Sequence, residues 1–293
     1  MTTLLADLKL ELGEGLHWDS SSGRLWFVDI SNSKLFSFML ESQEVTEFKF
    51  HKNVCWVISI RNSNNLLIGL RNEIVIFDPI EKEIKKTVQV FDGFSDTVRL
   101  NDAKADADGN IWAGTMNEKF PESFEGKLYL ITPSGITVKD NNYGIANGPA
   151  ISKNGKIIYH TDSFLKCINI LKRNSDNSLE KYAEIKSFRE EESPDGMSLD
   201  SEGFLWVAIW GGSKVKRINT QTKEEYNFKI PSKFVTNICF AGKNLDRLIV
   251  STAINSMGSS SDSNLNIGGI YEIKDHGCKG IPTLKANNRF ADE

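Results

Sequence analysis

The most regular feature of the chain is a short apolar segment, rich in β-favouring residues, that recurs six times. The segments begin at residues 25, 66, 111, 157, 205 and 248, and they read LWFVDI, LLIGL, IWAGT, IIYHTDS, LWVAIW and LIVSTA. Most of them follow a turn that contains glycine or asparagine, such as DADGN or DSEGF, which is typical of β-hairpins. A second strand-like segment follows each one, and no amphipathic pattern of helical length interrupts the series. The pattern predicts an all-β protein.

The repeated units have the size of a β-propeller blade. Successive apolar segments start 41 to 48 residues apart, and each unit contains about four strand-like segments. Six units of this size account for the chain, so we predict a six-bladed β-propeller that forms a single domain over residues 1–293. Either LLADLKLEL near the start or GIPTLKA near the end must complete the last blade, and we expect the N-terminal segment to do so.

The segment before each turn is predicted to be the innermost strand of its blade. Its third and fifth positions are almost all apolar, as in a strand with one face in the core. The first positions are Glu14, Trp56, Asn101, Asn147, Asp195 and Thr236. The symmetry of the repeat places these residues at one depth, at the mouth of the central channel, where two carboxylates and two carboxamides converge.

Two interpretations of these polar residues are open. Each residue alone is a common turn former, as in Asp-Gly and Asn-Gly pairs. Together they predict one divalent metal ion at the channel mouth, because carboxylates brought close together repel each other unless a cation neutralises them. Oxygen donors favour Ca²⁺, Mg²⁺ or Mn²⁺, and Zn²⁺ is a further candidate.

Composition narrows the class of partner. The formal net charge of -4 offers no attraction for nucleic acid or for an anionic membrane surface. The N-terminus lacks the features of a signal peptide, and no segment has the length of a membrane span. The four cysteines form no CxxC pair and are predicted to be buried reduced thiols, and the four histidines lack zinc-site spacing. We expect a cytoplasmic protein that binds a small molecule, and the sequence leaves its oligomeric state open.

Four motifs at the same positions resemble the SMP-30/gluconolactonase family. They are GEGLHWD (13–19), RLNDAKADADGNIWAGTM (99–116), ANGPAIS with a later DS (146–163) and SPDGMSLDSEGFLWVA (193–208). The resemblance, which runs nearly end to end, implies a divalent metal held by Glu14, Asn147 and Asp195. It also implies substrate contacts by Arg99 and Asn101, although a salt bridge within the third blade is an alternative role for Arg99.

The match to the family motifs is imperfect at several positions. Leu16 and Ala103 stand where the family usually has proline and glycine, which leaves the donor residues in place. The family also has a substrate-contacting glutamate just after GTM, and here Glu118 and Lys119 compete for that position. The loop NEKFPESFEG that carries them is either a lid or an ordinary mobile loop.

The resemblance implies a metal-dependent lactonase that opens a sugar lactone such as an aldono-1,4- or 1,5-lactone. The metal would polarise the lactone carbonyl, and either Asp195 or the metal itself would activate the attacking water. This division of labour is open, because binding to a dication weakens Asp195 as a base. Two alternatives are a metal-dependent esterase or phosphotriesterase and a non-catalytic calcium-binding or protein-docking propeller.

Overall fold

The computed structural model describes residues 1–254 and 267–292, and its regular structure is almost entirely β-strand. Two short 3-10 helices, Pro121–Ser123 and Asn288–Phe290, are the exceptions in the described residues. The chain divides into two compact units: Met1–Lys49 with Ser187–Thr283, and Phe50–Lys186 with Leu284–Glu293. Among the described residues, no helix is both long enough and apolar enough to cross a membrane.

The first unit contains two antiparallel sheets in its described residues. One sheet pairs four strands in chain order: β2 (Gly13–Asp19), β3 (Arg24–Asp29), β4 (Lys34–Met39) and β5 (Val45–Lys49). The other sheet contains two four-stranded runs. They are β18 (Ser193–Leu199), β19 (Leu205–Trp210), β20 (Lys214–Ile218) and β21 (Glu225–Lys229), and β22 (Phe234–Ala241), β23 (Arg247–Ala253), β24 (Gly269–Ile273) and β1 (Thr2–Asp7). A single residue pair, Trp210 with Phe234, joins the two runs.

The second unit contains three antiparallel sheets of four strands, each paired in chain order. They are β6 (Val54–Ser59), β7 (Leu66–Leu70), β8 (Glu73–Asp78) and β9 (Glu83–Val90); β10 (Val98–Ala105), β11 (Ile111–Asn117), β12 (Gly126–Thr132) and β13 (Gly135–Tyr143); and β14 (Ala146–Ile151), β15 (Ile157–Asp162), β16 (Cys167–Arg173) and β17 (Leu179–Ile185). Every apolar segment that the sequence pattern selected lies on one of the strands of the two units.

The N-terminal strand completes a four-stranded run, as predicted. β1 pairs antiparallel with β24, from Thr2 opposite Ile273 to Asp7 opposite Gly269. In the alternative segment GIPTLKA, Gly280 and Ala286 form only isolated bridges, with Asp200 and Ile60 respectively. The closing strand therefore comes from the start of the chain.

A buried aspartate shapes the turn between the first two strands of a sheet. Asp106 accepts hydrogen bonds through Oδ1 from the backbone N–H of Asn110, at 3.0 Å, and through Oδ2 from Trp112 Nε1, at 3.1 Å. Asp200 and Trp206 repeat the arrangement, with 2.9 Å between Trp206 Nε1 and Asp200 Oδ2. Because the side chain replaces missing turn partners and fixes the indole, the turns form where the DADGN and DSEGF sequences predict them.

The core lies between sheet faces, and burial decreases from the first strand of each sheet to the last. All seven residues of β2 are buried, whereas β9 is largely exposed. In the first unit, Phe27 and Phe38 belong to one buried cluster with Ile249 on the neighbouring sheet. Full burial of such a side chain contributes about 1.5–3 kcal/mol, so this inner-to-outer gradient anchors the inner strands that carry the predicted site residues.

Candidate functional site

Register shifts interrupt the inner strands at the predicted site residues. The shift begins directly after Glu14 in β2 and directly after Asn147 in β14. In β10 and β18, Asn101 and Asp195 lie inside the shifted segment. A bulge of this kind turns side chains out of the regular alternation. The sequence pattern predicted the same register for all four residues. Relative to the start of the shift, Asn101 and Asp195 lie one residue further along their strands than Glu14 and Asn147 do.

In the first unit, one amide links the surroundings of the two predicted carboxylates. Glu14 and Asp195 are each 6% exposed. Glu14 Oε2 accepts hydrogen bonds from the backbone N–H of Gly15, at 2.9 Å, and from Asn237 Nδ2, at 2.7 Å. A Cβ atom placed on Gly196 would lie 2.5 Å from the same Asn237 Nδ2. Asn237 therefore contacts both Glu14 and the residue that follows Asp195.

Asn237, rather than the predicted Thr236, is the residue of β22 that faces Glu14. The pairing of β22 with β23 shifts between Val235 and Asn237. The Thr236 hydroxyl donates to the Gly13 carbonyl oxygen and lies 2.8 Å from the Ser251 hydroxyl. Thr236 thus holds neighbouring strands together. The one sequence feature that could have marked Asn237 is its polar side chain in the otherwise apolar stretch NICFA.

In the second unit, three predicted residues form one hydrogen-bonded run. Arg99 Nη1 donates to Asn101 Oδ1, at 2.6 Å, and Asn101 Nδ2 donates to Asn147 Oδ1, also at 2.6 Å. Asn147 Nδ2 then donates to the Ser163 hydroxyl, at 2.8 Å. The three predicted side chains are buried. Because each amide both accepts and donates, its orientation is fixed by its neighbours. Sequence reasoning did not assign a role to Ser163.

Glu118 forms an ion pair with Arg99, whereas the Lys119 side chain is exposed. Glu118 Oε2 lies 3.2 Å from Arg99 Nε, and Glu118 Oε1 lies 2.8 Å from Arg71 Nη2. The Lys119 backbone N–H donates to Asn117 Oδ1 at 3.1 Å, and its side chain is exposed. The Arg99–Glu118 pair is also the salt bridge within the β10–β13 sheet that was the alternative role for Arg99. Sequence reasoning missed Arg71, because nothing in the local pattern marks it.

The loop after β11 has defined attachments. Asn117 Nδ2 donates to Glu125 Oε1 across the loop, at 3.0 Å. The short helix Pro121–Ser123 lies between them, and the Phe124 ring packs edge-on against Phe164, with 5.7 Å between ring centres. The loop is therefore tied down at its base and near its end, and its role as a lid stays a prediction.

Burial keeps two titratable side chains of the second unit neutral. It raises the pKa of the Cys55 thiol to about 11, although the nearby Arg99 acts in the opposite direction. Burial lowers the pKa of His160 to about 3, and neither ring nitrogen has a hydrogen-bond partner. Cys55 is therefore a neutral thiol and His160 a neutral imidazole at neutral pH.

The cysteines are reduced, as predicted. None of the four, all of which lie in the described part of the chain, forms a disulfide. Three are buried, and Cys278 is half-buried, so the expectation of complete burial was wrong for that residue. Cys278 lies in the irregular segment after β24, where its Sγ donates to the His276 carbonyl oxygen at 3.2 Å.

The chemistry of the donors fits a hard cation. Within residues 1–254 and 267–292, no three His, Cys, Asp or Glu side chains are grouped closely enough to hold a metal ion. A site that uses Glu14 and Asp195 therefore needs further oxygen ligands. Carboxylate, carboxamide and water oxygens are the ligands that Ca²⁺, Mg²⁺ and Mn²⁺ prefer.

A cavity of about 540 Å³ in the first unit lies against residues 246–247 and 272–279, which include none of the predicted site residues. An ion pair between Arg247 Nε and Glu272 Oε1, 2.7 Å apart, forms part of its lining. His276 also lines it and accepts a hydrogen bond through Nδ1 from the backbone N–H of Cys278, at 3.2 Å. Arg247, Glu272 and His276 of this cavity are thus engaged with neighbouring protein groups.

The repeated four-stranded sheets define an all-β, propeller-like protein. The chain belongs to the SMP-30/gluconolactonase family: the profile of the SMP-30/Gluconolactonase/LRE-like region matches residues 12–254. That stretch contains every site residue predicted from the sequence.

Curated relatives are similar over most of their length. The chain is 30% identical over 260 residues to YvrE of Bacillus subtilis, which is provisionally named a sugar lactone lactonase, and the match covers 87% of each chain. It is 31% identical over 287 residues to regucalcin of Oryctolagus cuniculus, covering 92% of this chain and 93% of the relative. Family membership therefore rests on nearly full-length similarity.

Solved structures show the same fold. A luciferin-regenerating enzyme superimposes with a TM-score of 0.90 at 30% identity, covering 98% of this chain and 99% of that one. A regucalcin from Agrobacterium tumefaciens superimposes with a TM-score of 0.87 at 22% identity, covering 97% and 96%. The second likeness concerns the fold alone.

Proposed function

We propose that the protein is a metal-dependent lactonase that hydrolyses a sugar lactone of the aldono-1,4- or 1,5-lactone type. Family membership and the similarity to YvrE support lactone hydrolysis as the class of reaction. We further propose that residues 1–293 form a single six-bladed β-propeller, which is supported by the three four-stranded runs found in each unit.

The observation that carries the proposal is the run Glu118–Arg99–Asn101–Asn147. The four polar side chains come from β10, from β14 and from the loop after β11, yet they contact one another in sequence. Three of them are buried, and Glu118 is partly exposed. A buried guanidinium with fixed partners is preorganised to donate hydrogen bonds, which suits a substrate rich in hydroxyl groups.

The proposed metal ligands are Glu14, Asn147 and Asp195, and their donor chemistry fits Ca²⁺, Mg²⁺, Mn²⁺ or Zn²⁺. When bound, a divalent cation would polarise the lactone carbonyl and stabilise the negative charge that develops on its oxygen. The left-handed backbone at Gly15, with φ of 62°, lets the chain turn directly after Glu14 and lets the Gly15 N–H reach the carboxylate.

The chain's own residues bind the substrate and move the proton. Arg99, Asn101 and Glu118 hold the sugar hydroxyls, and the Glu118 carboxylate lies between the guanidinium groups of Arg99 and Arg71. Asp195 accepts a proton from water while the water oxygen bonds to the carbonyl carbon. The ring C–O bond then breaks, and the proton passes to the leaving oxygen, which gives the open hydroxy acid.

Acid release from a panel of aldonolactones, followed at constant pH with and without EDTA, tests the proposal. We expect hydrolysis that EDTA abolishes and that added Mg²⁺, Mn²⁺ or Ca²⁺ restores. Full activity of metal-stripped protein would contradict metal dependence. Cation binding without hydrolysis of any lactone or ester would instead indicate a non-catalytic binding propeller.

A second candidate is a hydrolase of a different small ester or phosphotriester. The likeness to a luciferin-regenerating enzyme, at a TM-score of 0.90, favours keeping this alternative, because that protein is named for the regeneration of luciferin, which is not a sugar. Arylesters and phosphotriesters in the same panel distinguish the two. Turnover of these compounds without turnover of lactones would replace the first proposal.

A further inference from the structure

Asn237 is a fully buried amide with both of its polar ends engaged. It is 0% exposed, its Oδ1 accepts from the Ile238 backbone N–H at 2.9 Å, and its Nδ2 donates to Glu14 Oε2 at 2.7 Å. Rotating the amide by 180° would place its oxygen against a carboxylate and its N–H₂ against an N–H donor. The side chain is therefore held in the orientation that donates to Glu14.

The neighbouring strand approaches the same amide closely. A Cβ atom on Gly196 would lie 2.5 Å from Asn237 Nδ2, 2.6 Å from its Cγ and 2.8 Å from the Thr236 carbonyl oxygen. No side chain larger than hydrogen fits there without displacing Asn237 or the β22 backbone. The approach of β18 thus places Asp195, directly before this glycine, beside the strand that supports Glu14.

Two neutral donors, the Gly15 backbone N–H and Asn237 Nδ2, hydrogen-bond to Glu14 Oε2. A lysine or arginine at the position of Asn237 would neutralise the carboxylate and compete with a metal ion for it. An amide fixes the carboxylate plane without adding a positive charge that would compete with a metal ion. This choice of donor suits a carboxylate that must bind a cation.

We propose that Asn237 is a positioning residue that orients Glu14 for a divalent cation and holds its strand at a fixed spacing from the strand of Asp195. The proposal rests on the metal-dependent function proposed above. Loss of a hydrogen-bond partner behind a metal ligand typically weakens metal affinity about 10- to 100-fold.

The test is calorimetric titration of metal-stripped full-length protein with Mg²⁺, Mn²⁺ and Ca²⁺, together with the melting temperature of the metal-free protein. For Asn237→Ala we expect the dissociation constant of the bound cation to rise about 10- to 100-fold. Asn237→Ser is the second variant, for use if the alanine protein does not fold. Its hydroxyl lies one bond closer to the main chain and is expected to leave Glu14 Oε2 without this donor.

Thr236→Val is the matched control, because Thr236 is adjacent, equally buried and hydrogen-bonded to Gly13 rather than to Glu14. We expect it to lower the melting temperature while cation affinity stays within about threefold of wild type. Equal affinity in wild type and the Asn237 variants would overturn this inference alone, as would equal weakening by Thr236→Val. A wild-type protein that binds none of the cations would overturn the proposed function as well.

Discussion

Arg99 Nε lies 3.2 Å from Glu118 Oε2, so two residues that are predicted to bind the substrate form one ion pair. Arg99 is 4% exposed and Glu118 is 29% exposed, so the pair leads from the buried residues toward solvent. The carboxylate at the exposed end of such a pair is placed to accept hydrogen bonds from a sugar without leaving its cationic partner.

Glu118→Gln should therefore impair substrate binding more than turnover. Glutamine preserves the size of the side chain but removes the charge that Arg99 and Arg71 hold in place. We expect KM for the best lactone to rise about tenfold, with kcat within about threefold, since loss of uniform binding changes KM alone. Lys119→Ala, at the neighbouring exposed position, is the control. An unchanged KM in the Glu118 variant would restrict the ion pair to a structural role.

A second ion pair joins neighbouring sheets and predicts a stability effect. Arg173 Nη2 on β16 lies 3.0 Å from Asp106 Oδ2 at the end of β10, and Asp106 is completely buried. Removing one partner of a buried pair typically costs about 3–5 kcal/mol. We expect Asp106→Ala to lower the free energy of unfolding in urea by about that amount. Asp108→Ala, whose side chain is 77% exposed, should change it by less than about 0.5 kcal/mol. Equal effects would contradict this assignment.

The strands and most of the site motifs could be predicted from the sequence because both are local. Apolar alternation and Asp-Gly or Asn-Gly turns mark each strand, and the family motifs select Glu14, Asn147 and Asp195 directly. The contacts of these residues are not local: Asn101 and Asn147 are 46 positions apart, and Glu14 and Asn237 are 223 apart. Packing of separate strands, rather than any short pattern, determines such contacts.

A register shift explains why Asn237, the residue after Thr236, contacts Glu14. Alternation assigns faces by counting every second residue, and an inserted residue reverses the assignment for the remainder of the strand. Because the inserted residue can be polar or apolar, the hydrophobic pattern of FVTNICFA does not reveal the shift between Val235 and Asn237. The same limitation produced the offset between the Glu14 and Asp195 strands.

His160 predicts a specific dependence of stability on pH. Burial lowers its folded-state pKa from 6.5 to about 3. Between pH 6.5 and about pH 3 the unfolded chain therefore binds more protons than the folded chain does. The stability that comes from keeping His160 neutral is complete above pH 6.5 and is lost as the pH falls. One such group contributes a slope of up to about 1.4 kcal/mol per pH unit.

Urea unfolding between pH 6 and 4 measures this slope. His160→Phe keeps an aromatic ring at the edge-on contact with Tyr143, whose ring centre is 4.5 Å away, and removes the titrating group. We expect the variant to lose less stability than wild type over this range. His51→Gln, at a side chain that is 64% exposed, should follow wild type. Parallel curves for wild type and His160→Phe would show that another group is responsible.

Asn147 tests which property of the proposed ligand matters. Asn147→Asp keeps an oxygen at the position that accepts from Asn101, whereas Asn147→Ala removes it. We expect the aspartate variant to retain cation binding better than the alanine variant in calorimetric titration. Equal binding by both variants would remove Asn147 from the proposed ligand set.

Asp195→Asn separates a turn residue from a catalytic one. Asparagine forms the same type of turn as aspartate, so a purely structural role predicts little effect on either folding or activity. If Asp195 both binds the cation and accepts a proton from water, the substitution removes a negative ligand and the base together. Loss of a general base alone typically costs about 10²- to 10⁴-fold in rate. We expect an unchanged circular dichroism spectrum and a kcat lowered at least about a hundredfold in saturating cation. Turnover equal to wild type under these conditions would assign Asp195 to the turn and require another base.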